Sequence, residues 1–233
     1  MSTPQLEVDD HADDGVVVAS LTPSGAWIDL TNSSLSAPEA RVAAALLRCV
    51  ARWGLSKTTI EDIARESGVS RATVYRLFPG GRQAIMDAAL RAEVQRLLGE
   101  VTAAVEQAND IEQCLVLGLH CSACFIEENP ALSFMQDHER PALEQLLSFE
   151  RLDVLFLTAG TVMQPVLSRF LEPSTALETG IWAARLVLSY LSEPADDLDL
   201  CDVEHVRRLV RTFMLPGLTP SAVVDIDVTT SPN

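Results

Sequence analysis

The run from Thr59 to Phe78 reads T-I-E-D-I-A-R-E-S-G-V-S-R-A-T-V-Y-R-L-F. Ile60, Ile63 and Ala64 stand at i, i+3 and i+4, one apolar stripe of a helix. Thr58 or Thr59 precedes it as N-cap. Each has an acid three residues on (Glu61 or Asp62), a capping-box spacing that also suits the positive end of the helix dipole. The helix should stop near Ser67, because Gly68 can take the positive φ of a sharp turn. Val69 is the apolar residue of that turn. Ser70 then caps a second helix, whose stripe is Val74, Leu77 and Phe78. Two helices joined by a short turn with a glycine in it form a helix-turn-helix.

The outer side of the second helix is polar: Ser70, Arg71, Thr73, Tyr75 and Arg76, with the small Ala72 near its start. Those types suit a nucleic-acid groove. Arg can reach a guanine edge with two hydrogen bonds, Thr offers a methyl or a hydroxyl, and Tyr can donate to a phosphate. A solvated amphipathic hairpin would have the same spacing, so the local charge matters. Residues 38–91 carry nine Lys/Arg against five acids, a local +4, which leaves −20 for the rest of a chain whose formal net charge is −16. A polyanion repelled by most of the surface has one basic place to dock.

On these residues the sequence resembles the TetR family of bacterial one-component transcription regulators. The likeness rests on Thr59, Ile63-Ala64, Gly68-Val69-Ser70, Thr73, Val74, Tyr75 and Phe78, preceded by a helix ending in Trp53-Gly54-Leu55. It covers about residues 38–91 by motif and reaches residue 217 by helix order. It implies an all-α fold: a three-helix DNA-binding domain over residues 36–81, then a helical ligand-binding and dimerisation domain over 82–217. It also implies a homodimer on a near-palindromic double-stranded operator, with a small-molecule effector. Carried over by position, Thr59 caps its helix against a phosphate, Ser70, Arg71, Ala72 and Thr73 begin the groove-facing helix, and Tyr75 contacts the backbone. Arg76 falls where base or phosphate contacts vary. Gly81 occupies the place of a usual phosphate-binding Lys, with Arg82 as a substitute one residue on. The start of the chain is acidic (Glu7, Asp9, Asp10, Asp13, Asp14), which argues against a basic arm on DNA.

Length, 233 residues, allows a real core, and few aromatics with many Ala and Leu suit helices. No apolar run reaches the ~18 residues that span a bilayer. With no basic-then-apolar start, a cytoplasmic protein without membrane contact is expected. Residues 1–35 read as an acidic, partly disordered extension. Within it, two β-prone runs around Thr22-Pro23-Ser24-Gly25 form either a hairpin over 15–31 or a tail with some apolar residues. The first helix should run from Pro38 to Trp53 and the fourth from Arg82 to Gln107. The fifth should start at Asp110 and end before Asn129-Pro130. Further helices follow to Met135, from Ala142 towards Phe170 with a break near Gly160, from a Ser174 cap to Leu191, and from an Asp202 cap to Met214. Pro216-Gly217 should close the last, and residues 218–233 read as a loose tail. Ile181, Leu186, Val187 and Tyr190, with Val206, Leu209, Val210 and Phe213, form either a four-helix dimer seam or the closing face of the monomer core.

Other chemistry is thin. Cys121 and Cys124 form a Cys-x-x-Cys beside His120 and Cys114, but a buried face of soft residues explains it without a thiol or metal sensor. No metal or cofactor site, nucleophile elbow or phosphate-cradling loop stands out, so no enzyme is expected. Asp137-His138-Glu139-Arg140 reads as a hydrated loop. Phe134, Phe149, Phe156 and Trp182 are the candidate lining of an effector cavity. The expected function is therefore a sequence-specific repressor released by an apolar or amphipathic ligand. The rival readings are an acidic all-α ligand carrier without DNA binding, and a regulator responding to thiol chemistry or metal through Cys121 and Cys124.

Overall fold

The computed structural model describes residues 35–146, 149–192 and 198–218, with 149–151 and 191 as backbone only. The expected hairpin over 15–31, the acidic start and most of the loose tail lie outside these residues. What is described is helical, as the sequence implied.

Three short helices come first. In α1 (Ala37–Trp53), Pro38 sits in the first turn and the Glu39 carboxylate accepts the Ser36 N–H at 2.8 Å. Gly54 ends it at φ 85°. α2 (Ile60–Ser67) starts at Thr59, not Thr58. Thr59 Oγ1 accepts the Asp62 N–H at 3.2 Å, while Asp62 accepts the Thr59 N–H at 3.1 Å. Thr58 is buried instead, donating its hydroxyl to the Gly54 carbonyl at 2.7 Å. Gly68 closes α2 in the left-handed region, φ 71°. Ser70 caps α3 (Arg71–Leu77) by accepting the Thr73 N–H at 3.1 Å.

The long α4 (Gly81–Val105) leads into the body, where α5 (Ile111–Glu127), α6 (Pro130–His138) and α7 (Arg140–Leu146) follow. Asp110 caps α5 and Asn129 caps α6, both through backbone N–H groups. α8 (Phe149–Leu167) and α9 (Pro173–Ser192) form the most extensive helix pair. Gly160 does not break α8. Gly160 and Gly180 meet where α8 and α9 cross, and a Cβ on Gly180 would lie 2.9 Å from the Gly160 Cα. Both glycines serve close approach. α9 begins at Pro173, so Ser174 is inside its first turn rather than at its cap.

The last helix also departs from expectation. α10 (Val203–Leu209) runs into a π-helical stretch, Val210–Met214, and then α11 (Leu215–Leu218). Pro216-Gly217 therefore falls within helix.

Two apolar clusters hold the described residues together. One joins Val42, Leu46, Ile63, Val74, Phe78 and Ile85 of the first four helices to Ala131, Met135 and Leu143 of α6 and α7. The other joins Val101, Leu115, Leu119, Met163, Val206 and Val210 in the body. Val206, Leu209 and Val210 are buried in this monomer core, so they cannot serve a dimer seam. Trp182 (69% exposed) and Phe213 (77%) stand outside it.

Candidate nucleic-acid interface and internal cavity

Val74 and Phe78 of α3 bury their side chains between α1 and α4, which fixes which side of α3 faces out. Arg71, Ala72, Tyr75 and Arg76 are exposed on that side, with Ser70 at its start. Thr73 is half-buried, and its hydroxyl lies 2.9 Å from that of Ser70. The Arg71 guanidinium pairs with Glu61 of α2 and sits 5.6 Å from the Tyr75 ring centroid. Arg76 makes no ion pair among the described residues. Six of the eight candidate contacts thus lie around one face of α3, and Thr59 is exposed at the start of α2.

The eighth, Arg82, has a different duty. Its Nη1 donates to the carbonyls of Leu55 at 3.0 Å and Thr58 at 3.2 Å, so it clamps the turn between α1 and α2. Glu139 takes the other side of the same turn. Its carboxylate accepts the Leu55 N–H, the Ser56 N–H at 3.0 Å and the Ser56 hydroxyl. The expected hydrated loop at Asp137–Arg140 is corrected here, since Glu139 anchors the body to the helix-turn-helix. Burial pushes its carboxyl up, but the Ser56 and Leu55 hydrogen bonds outweigh this and hold it below the usual range. Behind the reading face, Glu66 of α2 accepts from Arg48 and Arg52 of α1 at 2.6 and 3.1 Å, locking the two helices.

The body encloses a cavity of about 210 Å³. Its walls come from α4 (Leu90, Val94, Leu97, Val101), α5 (Leu115, Leu119), α6 (Leu132, Met135), α7 (Leu143, Leu146), α8 (Leu155, Met163) and α9 (Ala183, Val187), and reach Leu47 and Val50 of α1. The side chains with N or O atoms are Glu93, Ser122 and Asn129, and each is occupied. Ser122 donates to the Gly118 carbonyl at 2.7 Å, and Asn129 donates to Glu93 at 2.8 Å. Arg96 also pairs with Glu93, at 2.9 Å.

Three of the four aromatic candidates, Phe134, Phe156 and Trp182, do not line this cavity. Phe134 stacks on His138 at 4.5 Å, and Phe156 lies under the Arg185 guanidinium at 4.3 Å. Trp182 is exposed on α9, in an open groove with Phe213, and the Phe149 side chain lies outside the described residues. The described lining is mainly aliphatic, with Phe125 of α5 as its aromatic member, and the apolar stripes of α4 and α5 were the signal for it. Among the described residues no group of three His, Cys, Asp or Glu could hold an ion. Burial pushes the Cys121 thiol up and takes Cys114 to about 11, the signature of inert packing thiols.

Fold and site together define a helix-turn-helix protein whose reading head is joined to a helical body with an apolar cavity. Residues 42–91 match the family model for bacterial regulatory proteins of the tetR family. An uncharacterised HTH-type transcriptional regulator from Mycobacterium tuberculosis is 24% identical over 196 residues, covering 84% of this chain and 92% of that protein. Another, from Mycobacterium bovis, is 41% identical over 61 residues, 26% of this chain and 32% of that one. Among solved structures, the TetR family repressor AlkX from Dietzia sp., implicated in biodegradation of n-alkanes, is similar in fold. Its TM-score is 0.61 at 23% identity, over 76% of this chain and 95% of that one. The fatty acid degradation regulator FadR from Bacillus halodurans gives a TM-score of 0.54 at 14% identity, over 78% and 98%. Residues 42–91 thus carry the DNA-binding domain of the tetR family, and the chain is a DNA-binding transcriptional regulator. Among the described residues no helix is long and apolar enough to cross a membrane.

Proposed function

We propose that this regulator is a homodimeric, cytoplasmic repressor that leaves a near-palindromic operator when a neutral, largely hydrocarbon ligand enters the body cavity. Arg71 and Thr73 read bases, Thr59, Tyr75 and Arg76 hold phosphates, and Ala72 allows close approach to a thymine methyl. The observation that carries the ligand class is the cavity wall. Its few polar groups already bond to one another, so a charged or strongly hydrogen-bonding ligand would lose water and gain no partner. The amphipathic alternative therefore narrows to a neutral one. AlkX, named for n-alkane metabolism, supports the same direction. Trp182 and Phe213, exposed on the final helices, supply the aromatic anchors of the dimer.

The test begins with selection of bound DNA from a random pool and a gel shift on the winner. Arg71→Ala should weaken specific binding by roughly 1–3 kcal/mol and relax one base position. Unchanged binding across salt concentrations would remove α3 from the groove. n-Dodecane should then release the DNA, while decanoate and dodecylammonium should not. Release by the charged chains alone would overturn the ligand class.

A further inference from the structure

We infer that Glu139 is the positioning residue that carries occupancy of the cavity to the reading head, by gripping the turn between α1 and α2. The inference rests on the cavity being the effector site.

α6 faces two ways. Ala131, Leu132 and Met135 turn inward and line the cavity. Phe134, on another face, reaches the end of α1: its Cε1 is 2.9 Å from where a Cβ on Gly54 would lie. Glu139 follows α6 directly, and α7, which adds Leu143 and Leu146 to the cavity wall, begins one residue later. A shift of α6 and α7 around a ligand therefore displaces the Glu139 carboxylate.

That carboxylate is committed to one place. Its two oxygens accept three donors, the N–H groups of Leu55 and Ser56 and the Ser56 hydroxyl, from residues more than 80 positions away in sequence. The turn is shaped to receive it. Gly54 stands at φ 85°, and any Cβ there would come within 2.7 Å of Glu139 Oε1. Arg82, at the root of α4, holds two carbonyls of the same turn. The next residue after the turn is Thr59, the cap of α2 and a candidate phosphate contact. Glu139 is thus one of two grips on the segment that aims the helix-turn-helix, and it is the one that moves with the cavity wall. Hydrogen bonds to an ionised carboxylate are short-ranged and directional, so the grip releases over a small displacement.

The experiment uses the full chain, a DNA fragment selected from a random pool, and n-dodecane as probe. In the wild type, dodecane should weaken DNA binding by a coupling in the range of roughly 5–150-fold. Glu139→Ala should resemble the ligand-filled protein: DNA binding weakened roughly tenfold without dodecane, and less than about twofold further weakening with it. Ser56→Ala, which removes one donor of three, should lie between. Dodecane affinity, read by displacement of Nile red, should not fall below the wild-type value, and thermal unfolding should remain a single transition lowered by only a few degrees, which separates positioning from general unfolding. If Glu139→Ala responds to dodecane by the wild-type factor, the inference is wrong. If dodecane leaves even the wild type on DNA, the hydrocarbon reading fails instead, and hydrogen exchange decides the grip. Faster exchange at the Leu55 and Ser56 amides in Glu139→Ala, together with weaker DNA binding, sustains it, and unchanged exchange refutes it.

Discussion

Replacing Gly180 by alanine should loosen the body, although alanine is the better helix former. A Cβ on Gly180 would lie 2.9 Å from the Gly160 Cα and 3.4 Å from both the Gly160 carbonyl oxygen and the Met163 Cβ. The nearest atom is backbone, so no rotamer change relieves the contact and α8 and α9 must separate. Overpacking of this kind costs about 1–3 kcal/mol. The gain in helix propensity and the smaller entropy of the unfolded chain return about 0.5–1 kcal/mol. The net is a loss of up to about 2.5 kcal/mol, or up to about 10 °C in melting temperature for a chain of this size. Gly99 is the control. It lies exposed within α4 with nothing within 4 Å of an added Cβ, so Gly99→Ala should gain about 0.5–1 kcal/mol. Both variants should be melted by calorimetry at one protein concentration, because a dimer's stability depends on it. If Gly180→Ala melts at or above the wild type, alongside Gly99→Ala, the close crossing of α8 and α9 is refuted.

Thr59→Ala removes the side-chain half of the α2 cap, leaving the Thr59 N–H bond to Asp62, and should cost about 1 kcal/mol in urea denaturation, with a further loss of operator binding in a gel shift. Glu61→Gln frees Arg71 from an exposed ion pair, so stability should move by less than about 0.5 kcal/mol. Removal of a negative charge beside the reading face should raise non-specific DNA affinity more than specific affinity, visible in competition with random-sequence DNA. Acid should weaken the anchored turn. The hydrogen bonds to Glu139 hold its carboxyl below the unfolded value of 4.5, so its contribution is present above that pH and lost as pH falls through the folded value. Urea midpoints measured from neutral pH down to about 3 should show this loss, and Glu139→Ala should flatten it.

Four of the first five helices, α1, α2, α3 and α5, were legible because their starts are written locally. Ser36, Thr59, Ser70 and Asp110 cap them, and Gly54 and Gly68 supply positive φ where chains turn. The later helices were less so. Gly160 reads as a break when only its propensity is weighed, but its partner is Gly180, twenty residues on, and sequence spacing carries no trace of that crossing. Val206, Leu209 and Val210 present an apolar stripe that a partner subunit and a monomer core would satisfy equally. Only packing shows that they are buried within the chain while Phe213 is not. α3 exposes Arg71, Ala72, Tyr75 and Arg76, as its polar pattern implied, while Thr73 is half-buried. Of the candidate aromatics, Phe134, Phe156 and Trp182 point away from the cavity, which mainly aliphatic residues and Phe125 line. Glu139 was invisible for a plainer reason. A carboxylate in a charged loop becomes an anchor only when a turn 83 residues earlier brings it N–H groups.

That anchor changes how the two halves of the molecule relate. The core of the reading head does not end at α4. Ala131, Met135 and Leu143, from α6 and α7, belong to the same apolar cluster as Ile63 and Val74, which support α2 and α3. Leu47 and Val50 of α1 belong to the cavity wall. A ligand in the body therefore touches the helix on which the reading head is built, and close-packed interiors transmit such displacements rather than absorb them. Coupling between effector and DNA then needs no separate relay along α4. It follows from one shared wall, with polar contacts at its rim, Glu139 and Arg82, that fix where the α1–α2 turn stands when the wall is at rest.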